Sequence, residues 1–207
     1  MKMITDNSVL MRKAYDKLSN KWPIAILTFF IYLTIIASVG SIKHVGSLLS
    51  LFITGPFLLG GAGFSLAIYR DKEFKLEMIF QGFNRFSTSV SAYLTMILLI
   101  ILWSILFIIP GIIAALSYSL TFYILSDDPS ISATAALNKS KKMMDGYKLK
   151  LFNLYLRLFL LTLLCILTLG IGFFWFIPYK NITMAAFYEE LNSQTDTYQY
   201  GVWQTSF

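Results

Sequence analysis

Cysteine and histidine are almost absent: the 207-residue chain has one of each, Cys165 and His44. A single cysteine excludes a disulfide framework, and the two together fall short of the ligands a zinc site needs. Cys165 sits in the apolar run LLCIL and reads as a small packing side chain. Charge is scarce as well, at 14% of residues against about 25% in a soluble domain. None of the 11 acidic residues falls in the middle of an apolar run. Proton- and sodium-coupled transporters place a carboxylate inside the membrane, so this absence argues against one. There is no G-x-G-x-x-G and no P-loop for a nucleotide. There is no G-x-S-x-G, and His44 is the lone imidazole, so no nucleophile has an obvious base. Asp127-Asp128 ends an apolar run before Pro129 and reads as a stop and helix cap, not as an acid–base pair. The chain therefore reads as non-enzymatic, with no cofactor and no metal.

What is abundant is apolar. Hydrophobic residues make up 57% of the chain and the mean hydropathy is +0.66. A soluble fold of this length cannot hide that much apolar surface, so the expectation is an all-α, polytopic membrane protein in one domain. About 20 apolar residues cross a bilayer as a helix. Five runs approach that: 24–42, 45–69, 88–109, 151–169 and a less clean 171–188. The basic lead of residues 1–21 is long, and 24–42 exceeds a signal-peptide core, so this run reads as a retained first span.

The net charge of +6 reads as cytoplasmic loops facing anionic inner-leaflet lipids, not as a nucleic-acid footprint. Lys and Arg gather in residues 1–21, 70–86 and 127–150. These three lie on one side only if the short run 111–126 carries the chain back across. The expectation is six segments as three helical hairpins, with both termini cytoplasmic. The outer turns fall at Lys43-His44, at Pro110-Gly111 and at Gly170-Ile171-Gly172. Gly55-Pro56 is expected to kink the second span.

Each hairpin follows a basic segment with apolar residues at helical spacing: Leu10, Ala14, Tyr15 and Leu18, then Leu76, Ile79, Phe80, Phe83 and Phe86, then Ala133, Ala136, Leu137, Met143, Met144 and Tyr147. These read as amphipathic helices lying in the inner interface, the third opened by Asp128 as N-cap and Pro129. The unit recurs about every 60 residues, with Gly111 and Gly172 61 apart and Tyr118 and Tyr179 also 61 apart. That period predicts a threefold internal pseudo-repeat over about 1–70, 71–127 and 128–191. The polar tail 192–207 is expected to be loose or to lie on the inner leaflet.

Three phrases of the second half are long and distinctive: LWSILFIIPGIIAALSYSLTFYILSDDP, AALNKSKKMMDGYK and LTLGIGFFWFIPYKNITMAAFYEEL. Together they resemble a domain-of-unknown-function family of integral membrane proteins from Gram-positive bacteria. GPFLLGGAGFSLAIYRD and IFQGFNRF extend the similarity weakly into the first half. The resemblance implies a multi-span protein of the bacterial plasma membrane and no activity, cofactor or catalytic residue.

Two basic residues lie inside apolar runs. Arg157, about 10 Å along a helix from Lys150, reads as snorkelling to the inner headgroups. Lys180 falls near the middle of the last run. One reading makes it an intramembrane polar site with Tyr118, Tyr123 or Tyr179, or with carbonyls freed by Pro178. The other breaks the segment at Pro178 and lets Lys180 reach a phosphate. The expected function is accessory or protective, through binding a membrane protein, a lipid or a membrane-active peptide. The rival is a small transporter or channel for an anionic or polar solute. A transporter needs a polar cavity around Lys180, Tyr118 and Tyr123; a binding protein needs a filled centre and an exposed groove.

Overall fold

A computed structural model describes residues 5–42 and 45–204; the expected turn at Lys43-His44 lies outside them. The regular structure of the described residues is helical throughout: α1 (Asn7–Leu18), α2 (Trp22–Gly40), α3 (Gly46–Tyr69), a 3-10 segment (Leu76–Arg85), α4 (Phe86–Leu106), α5 (Ile108–Tyr118), α6 (Thr121–Asp127), α7 (Ala133–Met143), α8 (Lys148–Leu167) and α9 (Phe173–Gln204). Five stretches are long and apolar enough to cross a bilayer: Trp22–Gly40, Gly46–Tyr69, Leu76–Leu106, Ile108–Asp127 and Lys148–Leu167. This marks a membrane protein. The α9 helix, which holds the expected sixth segment, is not among them; it carries Lys180, Glu189 and Glu190.

Local chemistry places the helix ends. Asp6 caps α1, its carboxylate accepting the Ser8 N–H at 2.7 Å. Ser132 caps α7 by accepting the Ala135 N–H at 3.3 Å. The Asp128-Pro129 start expected for that helix is displaced, because Asp128 instead folds a turn onto the Ser130 N–H at 2.9 Å. The Pro110-Gly111 turn is displaced too. The chain reverses at Phe107, which is extended (φ −159°, ψ 150°). Pro110 then occupies the first turn of α5, where its missing N–H costs nothing, and Gly111 becomes a packing residue. A Cβ there would collide with Ser104 of α4. The turn at Gly170 and Gly172 falls where the spacing places it, between α8 and α9, with Leu169 and Gly170 at positive φ. Both Pro56 and Pro178 sit inside continuous helices. The polar tail continues α9 as far as Gln204; residues 205–207 lie outside the described residues.

The basic segments do not simply lie on lipid. Their apolar faces pack on other helices: α1 on α9, the 3-10 segment on α3, and α7 on α6. Leu10, Ala14, Leu18, Ala136 and Leu137 are all buried. The second segment is 3-10, and its backbone lies directly on α3. A Cβ on Gly82 would collide with the Pro56 carbonyl, and a Cβ on Gly60 with the Ile79 carbonyl. Such small-residue contact is how helices approach closely where no hydrophobic effect drives them together.

Burial is uneven along the spans. On α2, α4 and α8 the buried positions are Ala25, Thr28 and Phe29, then Ser89, Val90 and Ala92, then chiefly Leu151, Leu154 and Leu158. Most lie in the half nearest the basic segments; Leu158 is at the midpoint of α8, and Cys165 is buried toward its far end. Ile182 to Tyr188 of α9 and the later turns of α3 complete this core. The far ends are bare, with Ile105 76%, Ile108 77% and Leu167 78% exposed.

Candidate functional site

Lys180 stands where the packed core gives way to the open half. It lines a cavity of about 370 Å3 between α2, α3 and α9. The walls include Phe29, Tyr32, Phe57, Phe176 and Asn181, and no acidic side chain is among them. Lys180 makes no ion pair with any described residue. The cavity is thus an aromatic chamber with one exposed ammonium and a side-chain amide, a lining suited to an acidic group carried on an apolar body.

The other expected site residues are dispersed around it. Tyr118 packs with Ala114 and Leu137, away from the cavity. Tyr123 is buried, stacks on Tyr188 with centroids 6.0 Å apart, and donates to the Asn181 carbonyl at 3.0 Å. It therefore braces the backbone beside Lys180 without lining the chamber. The Tyr179 hydroxyl donates to the Met11 carbonyl at 3.2 Å, pinning α1 to α9. Arg157 lies 3.5 Å from Asp6, the N-cap of α1, in a pair that both side chains leave about half exposed.

Beneath the cavity lies an ionic clasp. Arg70, just past α3, donates to Asp127 at the end of α6, and its Nε–H donates to Glu189 of α9 at 2.6 Å. The Tyr188 hydroxyl donates to the second Asp127 oxygen at 2.9 Å. Burial works against the Arg70 charge, but the hydrogen bond and charge of Asp127 and the field of Glu189 outweigh it and hold the guanidinium above its ordinary value. Nearby, Glu190 accepts the Thr5 N–H at 2.9 Å and the Thr5 hydroxyl at 2.7 Å. Partial burial pushes the Glu190 carboxyl up, but these bonds, with Lys150 and Lys13, hold it below its usual range.

Basic residues also hold carbonyls near the ends of α3 and α6 and in the loop before α7. Lys21 donates to the Ile68 carbonyl at 3.2 Å, and Arg85 to those of Leu125 at 2.7 Å and Ile131 at 2.9 Å. Sequence reasoning missed both devices, although a signal was present. The clasp residues follow the same kind of position in each expected unit, at Tyr69-Arg70-Asp71, Ser126-Asp127-Asp128 and Tyr188-Glu189-Glu190. The two cations each directly precede the aromatic residue that opens a span, Trp22 of α2 or Phe86 of α4.

Residues 105–195 match one family model. Its description is a protein of unknown function (DUF975). The match takes in nearly all of the three distinctive phrases of the second half, together with Lys180, Asp127 and Glu189. No curated protein and no solved structure matches the chain.

Proposed function

We propose that this is a non-enzymatic, accessory or protective membrane protein that binds a partner within the bilayer, and that the partner presents an acidic group to Lys180. The observation that carries the reading is a cation with no ion pair among the described residues, in an aromatic chamber beside a filled core. Tyr123, Tyr188, Arg70 and Asp127 occupy the centre and leave Tyr118 and Tyr123 out of the Lys180 cavity. A solute pathway would need those hydroxyls around one polar space. A membrane protein, a lipid or a membrane-active peptide needs only the chamber, which meets the open, apolar half of the molecule.

We further propose six segments in three units, with both termini on the cytoplasmic side of a bacterial plasma membrane. Lys180 then lies within the sixth. Support comes from the cyclic docking: the basic segment of each unit packs on the second limb of another, α1 on α9, the 3-10 segment on α3 and α7 on α6. The ends of those three limbs meet in the clasp. Asn20 and Gly146, both at positive φ, close α1 and α7 just before Trp22 and Tyr147. These correspondences favour a threefold pseudo-repeat.

Lys180 also motivates the second reading, transport of an anionic or polar solute. Reconstitution separates the two. In proteoliposomes loaded with small organic anions, the binding reading predicts flux no greater than in empty vesicles for both the native chain and Lys180→Met. Flux that is present in the native chain and lost in Lys180→Met establishes transport instead.

A further inference from the structure

A second groove, separate from the Lys180 chamber, lies between α5 and the start of α8. It encloses about 290 Å3 and is lined by Trp103, Pro110, Ile113, Tyr118, Lys141 and Lys148, among others. Its composition is split. Two lysines from different helices, α7 and α8, line an otherwise largely apolar trough with two hydroxyl-bearing neighbours, Ser117 and Tyr118. Lys141 makes no ion pair among the described residues. Lys148 has Asp145 at 3.8 Å, and that carboxylate is 86% exposed. Surface pairs of this kind are weak and easily exchanged for a better anion. Next to the lining residues in sequence, Ile109, Ile112 and Leu149 are exposed apolar side chains.

We infer that this groove holds one acidic phospholipid, with its phosphate between Lys141 and Lys148 and an acyl chain along Ile113 and Pro110 toward Trp103. Charge complementarity selects the occupant. A zwitterionic headgroup brings its own cation against two lysines, whereas an anionic one is attracted by both. A free anion gains the lysines but nothing from the apolar wall. Basic pockets between spans on the cytoplasmic side are suited to acidic headgroups. The proposal takes its sidedness from the topology above but does not depend on what Lys180 binds.

Trp103 makes the site readable. In a background with Trp22→Phe, Trp175→Phe and Trp203→Phe, the full chain is placed in phosphatidylcholine vesicles. Phosphatidylglycerol or phosphatidylcholine brominated on the acyl chain is added as a minor component. The expected result is quenching of Trp103 by brominated phosphatidylglycerol at a lower fraction than by brominated phosphatidylcholine. Lys141→Gln and Lys148→Gln each weaken that preference about fivefold. Lys141→Arg with Lys148→Arg retains it, which separates loss of charge from loss of fold. Raised salt diminishes it, and Lys180→Met leaves it unchanged, so a failure here is distinct from a failure at the chamber. Equal quenching by the two lipids, or a preference untouched by the glutamine variants, overturns the proposal. So does relief of quenching by inorganic phosphate, since the site would then be reading the free anion.

Discussion

Two adjacent glycines show how sharply single positions are constrained. Gly60 faces the Ile79 backbone so closely that a Cβ has no room, whereas a Cβ on Gly61 would meet Ile79 Cδ1 at 3.6 Å, an ordinary contact. Gly60→Ala should cost about 1–3 kcal/mol from overpacking against an immovable carbonyl. Gly61→Ala should be neutral or gain up to about 1 kcal/mol of helix propensity. Thermal melts of the detergent-solubilised protein check both signs, and equal effects would contradict the packing. Asp71 makes a pH-dependent prediction. Lys17 and Lys21 both donate to its carboxylate and hold it down at about 2. A depressed carboxyl stabilises the fold above its unfolded value, near 3.8, and that contribution is lost as pH falls from there toward about 2. Melts over this window should slope more steeply for the native chain than for Asp71→Asn. Neither feature was legible in the sequence. A G-G pair looks symmetric until a backbone presses on one member, and the Asp71 pairs span about 50 residues of sequence.

At the scale of elements, the clasp joins α3, α6 and α9 through one guanidinium. Arg70→Met should destabilise by about 2–3 kcal/mol, since it leaves Asp127 and Glu189 facing each other; partial exposure keeps this below the cost for a fully buried pair. Arg70→Lys should recover less than half, because an ammonium lacks the planar fork that reaches both carboxylates. Chemical denaturation in mixed micelles measures the pair, and full rescue by lysine would remove the fork from the explanation. Helices with a strong apolar period were legible, since α2, α3, α4 and α8 lie on the runs marked by length and hydropathy. The exact reversal at Phe107 was not. Pro110-Gly111 carries the usual turn signal, but Gly111 is needed for contact with Ser104, and that need comes from tertiary packing. The 3-10 form of segment 76–85 was not legible either.

Over the whole molecule, a core confined to one half of the spans leaves the other half open, and the Lys180 chamber sits at the junction. The sequence singled out Lys180 as a charge without a partner, but it could not tell that Tyr118 and Tyr123 face elsewhere, because their shared helical run breaks at Ser119-Leu120. The proposed topology has its own test. With Cys165→Ser, single cysteines at Ile171 and Asn192 should react with an impermeant maleimide from opposite sides, and Ser130 from the side of Asn192. Labelling of Ile171 and Asn192 from one side would mean that α9 does not cross. The central claim, that the chamber receives an acidic group of a membrane partner, is met most directly by photocrosslinking from Leu33, which lines the chamber, in native membranes. The account predicts one discrete adduct that persists in Lys180→Arg, vanishes in Lys180→Met, and is absent when the probe sits at lipid-facing Leu160. An adduct pattern that is the same at Leu33 and Leu160, or is unmoved by Lys180→Met, would contradict it.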